Sequence, residues 1–392
     1  MRPTRELVSD TAWSYLAFAG LATGGALLNG GIGALAGADA LGVFNQLLAA
    51  YAVAAQLAVF GLHDAVQKYV ASEPGARAAI TASGTRWVLG TGALVALAMS
   101  LLAGPLGRAF DSPEVGAGLR WVAAALVPFT LNKVWMGSLV GQRRMRPWAF
   151  AQLLRIGTLT TAAFAVIAAG RPPGDLGAAF LAAECAVAPA LFAWVRPRPT
   201  PDAGRWHAAL AAFAARALPN SALADNALKL SVLALATTAT DAEVGVYAFA
   251  TLFAEGLVQV GVTVRAAAAS RLVVALAEPG RPSVPWLARR VMALGLGSNL
   301  AAAAGVFAVY PALGWVFAPE LVAGARPALG ILALGLAVYA AFLPLDFALL
   351  QAGQPGRQSA WMSVNVATNL ALNLWLAPRY GVAGAALGTA LG

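Results

Sequence analysis

The sequence predicts an all-α polytopic membrane protein built from two similar six-helix halves. Of its 392 residues, 60% are hydrophobic and 11% are charged, whereas soluble domains carry about a quarter charged residues. Apolar segments of about 20 residues, the length that crosses a bilayer as a helix, recur along the chain. Motifs that repeat about 200 residues apart indicate a duplication.

The clearest repeat is a long apolar element found once in each half. The element at 41–75 opens with Leu-Gly-Val-Phe and closes with Glu-Pro-Gly, and the element at 244–280 opens with Val-Gly-Val-Tyr and closes with the same tripeptide. Gly177-Ala-Ala, which opens the predicted sixth helix, recurs as Gly384-Ala-Ala, which opens the last one. Because each half has an even number of helices, both halves enter the membrane from the same side.

The repeat predicts three regions along the chain. Residues 1–195 form the first six-helix lobe, 196–209 form a proline- and arginine-containing cytoplasmic linker, and 210–392 form the second lobe. The last apolar piece, 381–392, is too short to cross a bilayer at about 1.5 Å per residue. We therefore expect about 12 transmembrane helices, of which the last is truncated.

Basic residues predict the orientation of these helices. Seventeen of the 26 Lys and Arg residues fall in segments on the side of the N-terminus, and five fall on the opposite side. Because basic loops stay in the cytoplasm, we expect a cytoplasmic (inner) membrane protein with its N-terminus inside. The net charge of +9 is spread over these short loops, so nucleic acid is not an expected partner.

The sequence offers little to support an enzyme. The only cysteine, Cys185, lies in an apolar segment, which excludes an internal disulfide and a cysteine metal cluster. The chain contains no Gly-Lys dipeptide and therefore no P-loop for a nucleotide. Asp241 and Glu243 have the spacing of paired acids in membrane glycosyltransferases, but they precede a predicted helix, where acids favour capping. We predict no enzymatic activity, cofactor or metal.

Several motifs resemble those of polysaccharide biosynthesis flippases of the multidrug/oligosaccharidyl-lipid/polysaccharide (MOP) exporter superfamily. They are the Leu-Gly-Val-Phe opening at 41–44, Lys68-Tyr69-Val70, and Ala377-Pro-Arg-Tyr-Gly-Val-Ala-Gly-Ala-Ala. The resemblance implies two bundles that alternate between inward-open and outward-open states, with a cationic cavity for a lipid-linked oligosaccharide. The first helix, however, has no basic residue from 13 to 35, whereas related lipid II flippases have arginines there.

The resemblance implies a function in which a polyprenyl-pyrophosphate-linked glycan moves across the membrane while its tail stays among the membrane lipids. An H⁺ or Na⁺ gradient, or the membrane potential, is the expected energy source. Proteins of polysaccharide synthesis or polymerisation are the expected protein partners. Two alternatives remain open, which are an ion-coupled multidrug exporter of the same superfamily and a membrane-embedded glycosyltransferase.

Ionisable residues inside predicted spans are the candidate site residues, because inserting each one costs about 2.5 to 3.5 kcal/mol. The candidates for contact with an anionic head group are the basic residues Lys133, Lys229, Arg155 and Arg265. For the two arginines, snorkelling to the membrane surface is the favoured alternative.

The acidic residues within the spans are the candidates for ion coupling: Asp225, Asp346, Glu255 and Glu184. Asp225 lies one helical turn before Lys229, so these two can form an intrahelical pair. Glu184 and Glu255 have no partner that the sequence identifies, which suggests either protonation or a hydrogen bond to a neighbouring helix. Asn365, Asn369 and Asn373 lie on one helix face and predict interhelical hydrogen bonds.

Overall fold

The computed structural model describes residues 2–198, 200–224, 227–277, 283–315, 317–346 and 355–392. Within these ranges the chain is helical and contains no strand. Short 3₁₀ segments connect several of the helices. The α-helices are α1 (Arg2–Val59), α2 (Leu62–Ser72), α3 (Arg77–Ala109), α4 (Pro113–Gly141), α5 (Met145–Ala168), α6 (Gly177–Val195), α7 (His207–Ala224), α8 (Ala227–Ala236), α9 (Asp241–Ala277), α10 (Ser283–Val309), α11 (Pro319–Phe342) and α12 (Pro355–Leu391).

The described chain contains eight helical segments that are long and apolar enough to cross a membrane. This confirms the prediction of an all-α polytopic membrane protein. The eight segments are Ala19–Val59, Pro74–Ala109, Pro113–Gly141, Met145–Ala168, Pro173–Val195, Asp241–Val262, Pro285–Trp315 and Pro319–Leu345.

Two of the longest helices are interrupted at a glycine. In α1 the backbone of Gly37 has φ 84° and ψ 177°, and in α12 Gly381 has φ 56° and ψ −134°. A side chain disfavours positive φ, so glycine is the residue that allows these breaks. Each break divides one continuous helical stretch into two of the apolar segments that the sequence predicts.

The chain divides into two compact units. The first comprises Met1–Ala36 and Val43–Lys229, and the second comprises Gly37–Gly42 and Leu230–Gly392. The predicted second lobe begins at residue 210, whereas this division keeps α7 with the first unit. The start of α7 packs on that unit, where the imidazole Nδ1 of His207 lies 2.8 Å from the Oγ of Ser83 on α3.

In the first unit, α4 is the central helix. It packs against α2, α3 and α6, and α5 packs in turn against α6. The core between these helices includes the fully buried Val66, Ile80, Val134 and Leu139. A Cβ on Gly137 would lie 2.6 Å from the backbone oxygen of His63, so only glycine allows α4 to approach α2 this closely.

In the second unit, α9 packs against α10 and α11, and α11 packs against α12. Aromatic rings fill part of the space between these helices. Phe249 contacts Phe317 with ring centroids 5.4 Å apart, and Phe253 contacts Tyr310 at 5.6 Å. Stacked and edge-on ring pairs of this kind add to the stabilisation from apolar burial.

Candidate functional site

The most buried acidic side chain that the structure describes is Glu184 on α6, with a relative exposure of 2%. Its Oε1 lies 2.9 Å from the Nε of Arg155 on α5. Its carboxylate also accepts hydrogen bonds from the Tyr51 hydroxyl at 2.9 Å and from the Nδ2 of Asn132 at 2.8 Å. Three helices other than α6 therefore contribute donors to a single carboxylate.

Arg155 is held on several sides. Its side chain is 17% exposed, one Nη donates to Gln152 Oε1 at 3.2 Å, and the other lies 3.3 Å from Glu184 Oε2. The guanidinium lies over the Phe129 ring, 5.5 Å from its centroid. The snorkelling interpretation of Arg155 is therefore wrong, because its charge is paired inside the first unit.

Aromatic rings surround the acidic side of this pair. The Tyr51 ring contacts Phe129 at 5.3 Å and Phe180 at 4.9 Å between centroids. Phe180 in turn stacks on Phe44 at 5.5 Å. These rings exclude water from the carboxylate and fix the orientation of the Tyr51 hydroxyl. We call Tyr51, Asn132, Arg155 and Glu184 the first-unit cluster.

One acceptor in the first-unit cluster is unsatisfied. Asn132 is fully buried, and its Nδ2 also donates to the backbone oxygen of Glu184 at 2.8 Å. Its Oδ1 has no hydrogen-bond partner. A buried acceptor without a partner is costly, so Asn132 Oδ1 can accept a hydrogen bond from a donor that enters the cluster.

A second charged pair lies in the second unit. Arg265 on α9 has an Nη 3.7 Å from the Oδ2 of Asp346, and both side chains are about a quarter exposed, at 24% and 28%. The Tyr339 hydroxyl donates to the same Asp346 oxygen at 3.2 Å. The sequence predicts separate roles for Arg265 and Asp346, but the structure brings them together.

The structure describes three of the four remaining candidates. Lys133, Lys229 and Glu255 are half-buried, and each has an interacting partner in the structure. Lys133 lies within electrostatic range of the His63 imidazole. Asp225 lies outside the described residues. The proposed roles of all eight candidates in substrate binding and ion coupling remain predictions.

Glu184, for which the sequence identifies no partner, is paired with Arg155 in the structure. The neutral partners Tyr51, Asn132 and Tyr339 are not among the residues that the sequence predicts for the site. Tyrosine and asparagine inside an apolar segment are polar groups that need a partner. That signal was present in the sequence, but the identity of the partner depends on how the helices pack.

A neutral polar network in the second unit confirms the predicted interhelical use of the asparagines on α12. Asn369 Oδ1 accepts a hydrogen bond from the Ser231 hydroxyl on α8 at 3.3 Å and from Nδ2 of the fully buried Asn373 at 3.1 Å. The Thr389 hydroxyl lies 2.9 Å from the hydroxyls of Ser231 and of the buried Tyr247. The stripe is divided, because Asn365 is exposed.

The start of α9 confirms the capping interpretation for Glu243. The Glu243 carboxylate accepts from the Thr240 backbone N–H at 2.9 Å, and the Glu243 N–H donates to the Thr240 hydroxyl at 3.3 Å. This reciprocal pair is a capping box. Among the described residues, no group of three His, Cys, Asp or Glu side chains is arranged to hold a metal.

Comparison of the structure with solved structures identifies the fold. The chain matches an inward-facing multidrug resistance MATE family transporter of the MOP superfamily with a TM-score of 0.74 and 14% identity, covering 97% of this chain and 90% of the other. The chain has the fold of MOP superfamily transporters. MurJ, a lipid II flippase in an inward closed conformation, matches with a TM-score of 0.72 and 12% identity over 97% of this chain and 84% of MurJ.

A third MOP-fold structure is the eukaryotic MATE transporter AtDTX14. It matches with a TM-score of 0.61 and 16% identity over 98% of this chain and 95% of its own. No protein-family model and no curated protein matches the sequence. At these identities the MOP likeness concerns the fold alone.

Proposed function

We propose that this protein is a flippase that moves lipid-linked oligosaccharide or polysaccharide precursors across the cytoplasmic membrane by alternating access. The observation that carries the proposal is the MOP fold, which covers 97% of the chain against both a multidrug transporter and a lipid II flippase. The motifs at 41–44 and 377–386 support the polysaccharide branch of that superfamily.

The charges inside the membrane support an anionic substrate. Lys133 and Lys229 are half-buried cations that both belong to the first unit, and the opposite charge of a phosphate stabilises a cation that is partly removed from water. We assign these two lysines to the pyrophosphate. In this proposal Arg155 and Arg265 contribute to the positive potential, which their paired carboxylates reduce in the resting protein.

The carboxylates provide the coupling in this proposal. Glu184 and Asp346 are each within reach of an arginine and a tyrosine hydroxyl, so protonation of either one releases its arginine. Asp225 and Glu255 complete the set of candidates. The protein has no enzymatic step in this scheme, and the capping box at Glu243 removes the main support for a glycosyltransferase.

One observation favours the multidrug alternative. A carboxylate that is 2% exposed and surrounded by Tyr51, Phe129 and Phe180 is the kind of environment that attracts an organic cation through charge and ring faces. In this second candidate function, the cation replaces Arg155 beside Glu184.

A transport experiment separates the two candidates. The purified protein is reconstituted in vesicles with a fluorescent polyprenyl-diphosphate oligosaccharide, and exposure of the label to a membrane-impermeant quencher is followed over time. We expect translocation by the wild type and at least a tenfold slower rate for Lys133→Ala/Lys229→Ala. A parallel assay measures efflux of a lipophilic cationic dye.

The controls define what each result means. Arg108→Ala/Arg120→Ala removes two exposed arginines outside the candidate site and should translocate the lipid at the wild-type rate. Full activity of the lysine double variant would refute the proposed head-group site. Dye efflux without lipid translocation would establish the multidrug alternative. Separate collapse of the H⁺ gradient, the Na⁺ gradient and the membrane potential then identifies the energy source.

A further inference from the structure

A group of arginines that the proposed transport function does not use lies at one end of the first unit. All are exposed, and they flank the ends of three membrane-spanning segments: α4, which ends at Gly141, α5, which begins at Met145, and α6, which ends at Val195. We call this group the basic patch. Its members are Arg143, Arg144, Arg146, Arg196 and Arg198.

Contacts between the helix ends bring the two parts of the basic patch together. An Nη of Arg144 donates to the backbone oxygen of Trp194, near the end of α6, at 2.9 Å. The ring of Phe150 on α5 contacts the Trp194 ring with centroids 5.7 Å apart. The α4–α5 turn therefore lies directly against the end of α6, and the arginines on both form one positive surface.

No carboxylate neutralises the basic patch in the part of the chain that the structure describes. None of its five guanidinium groups forms an ion pair there. The first turn of α5 contains no acidic residue, and its N-cap, Arg144, makes no side-chain capping bond. The N-terminus of a helix carries a partial positive charge, which favours acidic residues there. The arginines add to this positive charge at the start of α5, and only an external anion would balance it.

The surroundings of the basic patch are those of a membrane interface. The Arg146 guanidinium lies over the Trp13 ring at 5.6 Å, Trp148 and Trp194 are half-buried, and Phe150 is 54% exposed. Tryptophan is enriched where lipid head groups meet the hydrocarbon. The positive surface therefore lies at the depth of the phosphates of the adjoining leaflet.

We propose that the basic patch is a binding site for the phosphate head group of an acidic glycerophospholipid in that leaflet. A guanidinium donates two parallel hydrogen bonds to a phosphate, and an anionic membrane surface attracts each nearby Lys or Arg. The clustering of five arginines without a carboxylate partner matches that chemistry. None of the five arginines is a candidate transport residue, and all lie at or beyond the ends of the spans, so the inference does not depend on the proposed function.

Basic residues at this position also direct membrane insertion, so the test uses purified protein in uncharged detergent micelles, where insertion is complete. Binding of phosphatidylglycerol and of phosphatidylcholine is measured by native mass spectrometry across a titration. The patch variant is Arg143→Gln/Arg146→Gln, which spares the Arg144 bond to Trp194. Far-UV circular dichroism and elution volume verify that each variant is folded.

A matched variant at the opposite end of α4 provides the control. Arg108→Gln/Arg120→Gln also removes two exposed arginines, but these line a cavity that contains Asp111. We expect the wild type to prefer phosphatidylglycerol, the patch variant to bind it about 30-fold more weakly, and the control to change by less than about threefold.

Three results of the phosphatidylglycerol and phosphatidylcholine titrations would overturn the proposal. They are equal binding of the two phospholipids by the wild type, unchanged phosphatidylglycerol binding by the patch variant, and an equal loss in the control. Arg143→Lys/Arg146→Lys keeps the charge and the insertion signal. If this variant retains most of the affinity for phosphatidylglycerol while the Gln variant loses it, the result supports a head-group site. A third titration uses a polyprenyl diphosphate, and binding of that lipid alone would overturn the proposal and assign the patch to the transported lipid.

Discussion

The pair between Arg155 and Glu184 makes a quantitative prediction about stability. Replacing Arg155 with Gln leaves the Glu184 carboxylate, 2% exposed, without its cation. Breaking a buried ion pair on one side typically costs 3 to 5 kcal/mol. Tyr51 and Asn132 still donate to the carboxylate at 2.9 and 2.8 Å, so we expect the lower end of that range, about 3 kcal/mol.

The reverse change and the double change complete a mutant cycle. Glu184→Gln leaves Arg155, which is 17% exposed, with only Gln152 and the Phe129 ring, and we expect a cost of about 3 kcal/mol as well. Arg155→Gln/Glu184→Gln removes both charges and should cost no more than either single change. The interaction free energy is then about 3 kcal/mol.

The assay is reversible unfolding in dodecylmaltoside micelles with a rising mole fraction of dodecyl sulfate, followed by far-UV circular dichroism. The control is the same cycle on Arg171 and Asp175, which lie 2.7 Å apart but expose 63% and 19% of their side chains. Exposed ion pairs couple by about 0.2 to 1 kcal/mol. If the interaction free energy of Arg155 and Glu184 is no larger than that of Arg171 and Asp175, the burial and pairing assigned to Arg155 and Glu184 are refuted.

Three further predictions use the same unfolding assay. Asn373→Leu should lower the free energy of unfolding by about 1 to 2 kcal/mol because it removes buried hydrogen bonds. Asn365→Leu should lower it by less, because Asn365 loses only an exposed hydrogen bond to the backbone oxygen of Gly392. Gly37→Ala should lower the free energy of unfolding by about 1 to 3 kcal/mol because alanine disfavours φ 84°. Gly25→Ala, with open space at the Cβ, should be neutral or stabilising, and equal effects of the two changes would contradict the helix break. Glu243→Ala should lower the free energy of unfolding by about 1 kcal/mol because the cap of α9 is lost. Mn²⁺ or Mg²⁺ should leave the stability of the wild type unchanged, and stabilisation by either ion would contradict the capping role.

Most of the fold was predictable because a bilayer imposes strict demands on sequence. Segment length and hydrophobicity identify the spans, and the long repeat identifies the duplication. Even the capping role of Glu243 followed from its place before an apolar run. The signals for spans and caps are local, since each depends on residues within a few turns of one another, and the repeat needs only a comparison of the chain with itself.

The charged pairs were not predictable, because they join residues far apart in the chain. Arg155 and Glu184 lie on α5 and α6, and Arg265 and Asp346 are separated by two helices. Spacing rules identify a partner only within one helix. The identity of a partner on another helix depends on how each helix is rotated about its axis and how deep each residue lies in the membrane. When a span is buried on several sides, its apolar periodicity determines neither quantity.

The lone thiol Cys185 follows Glu184 directly on α6 and is exposed. Successive residues of an α-helix point about 100° apart, so a probe attached to this sulfur lies outside the cluster while its backbone moves with the carboxylate. A nitroxide or fluorophore can therefore be introduced at one defined position in the unaltered sequence. Its spectrum would report rotation of α6 when Arg155 exchanges partners, in real time and in a native bilayer.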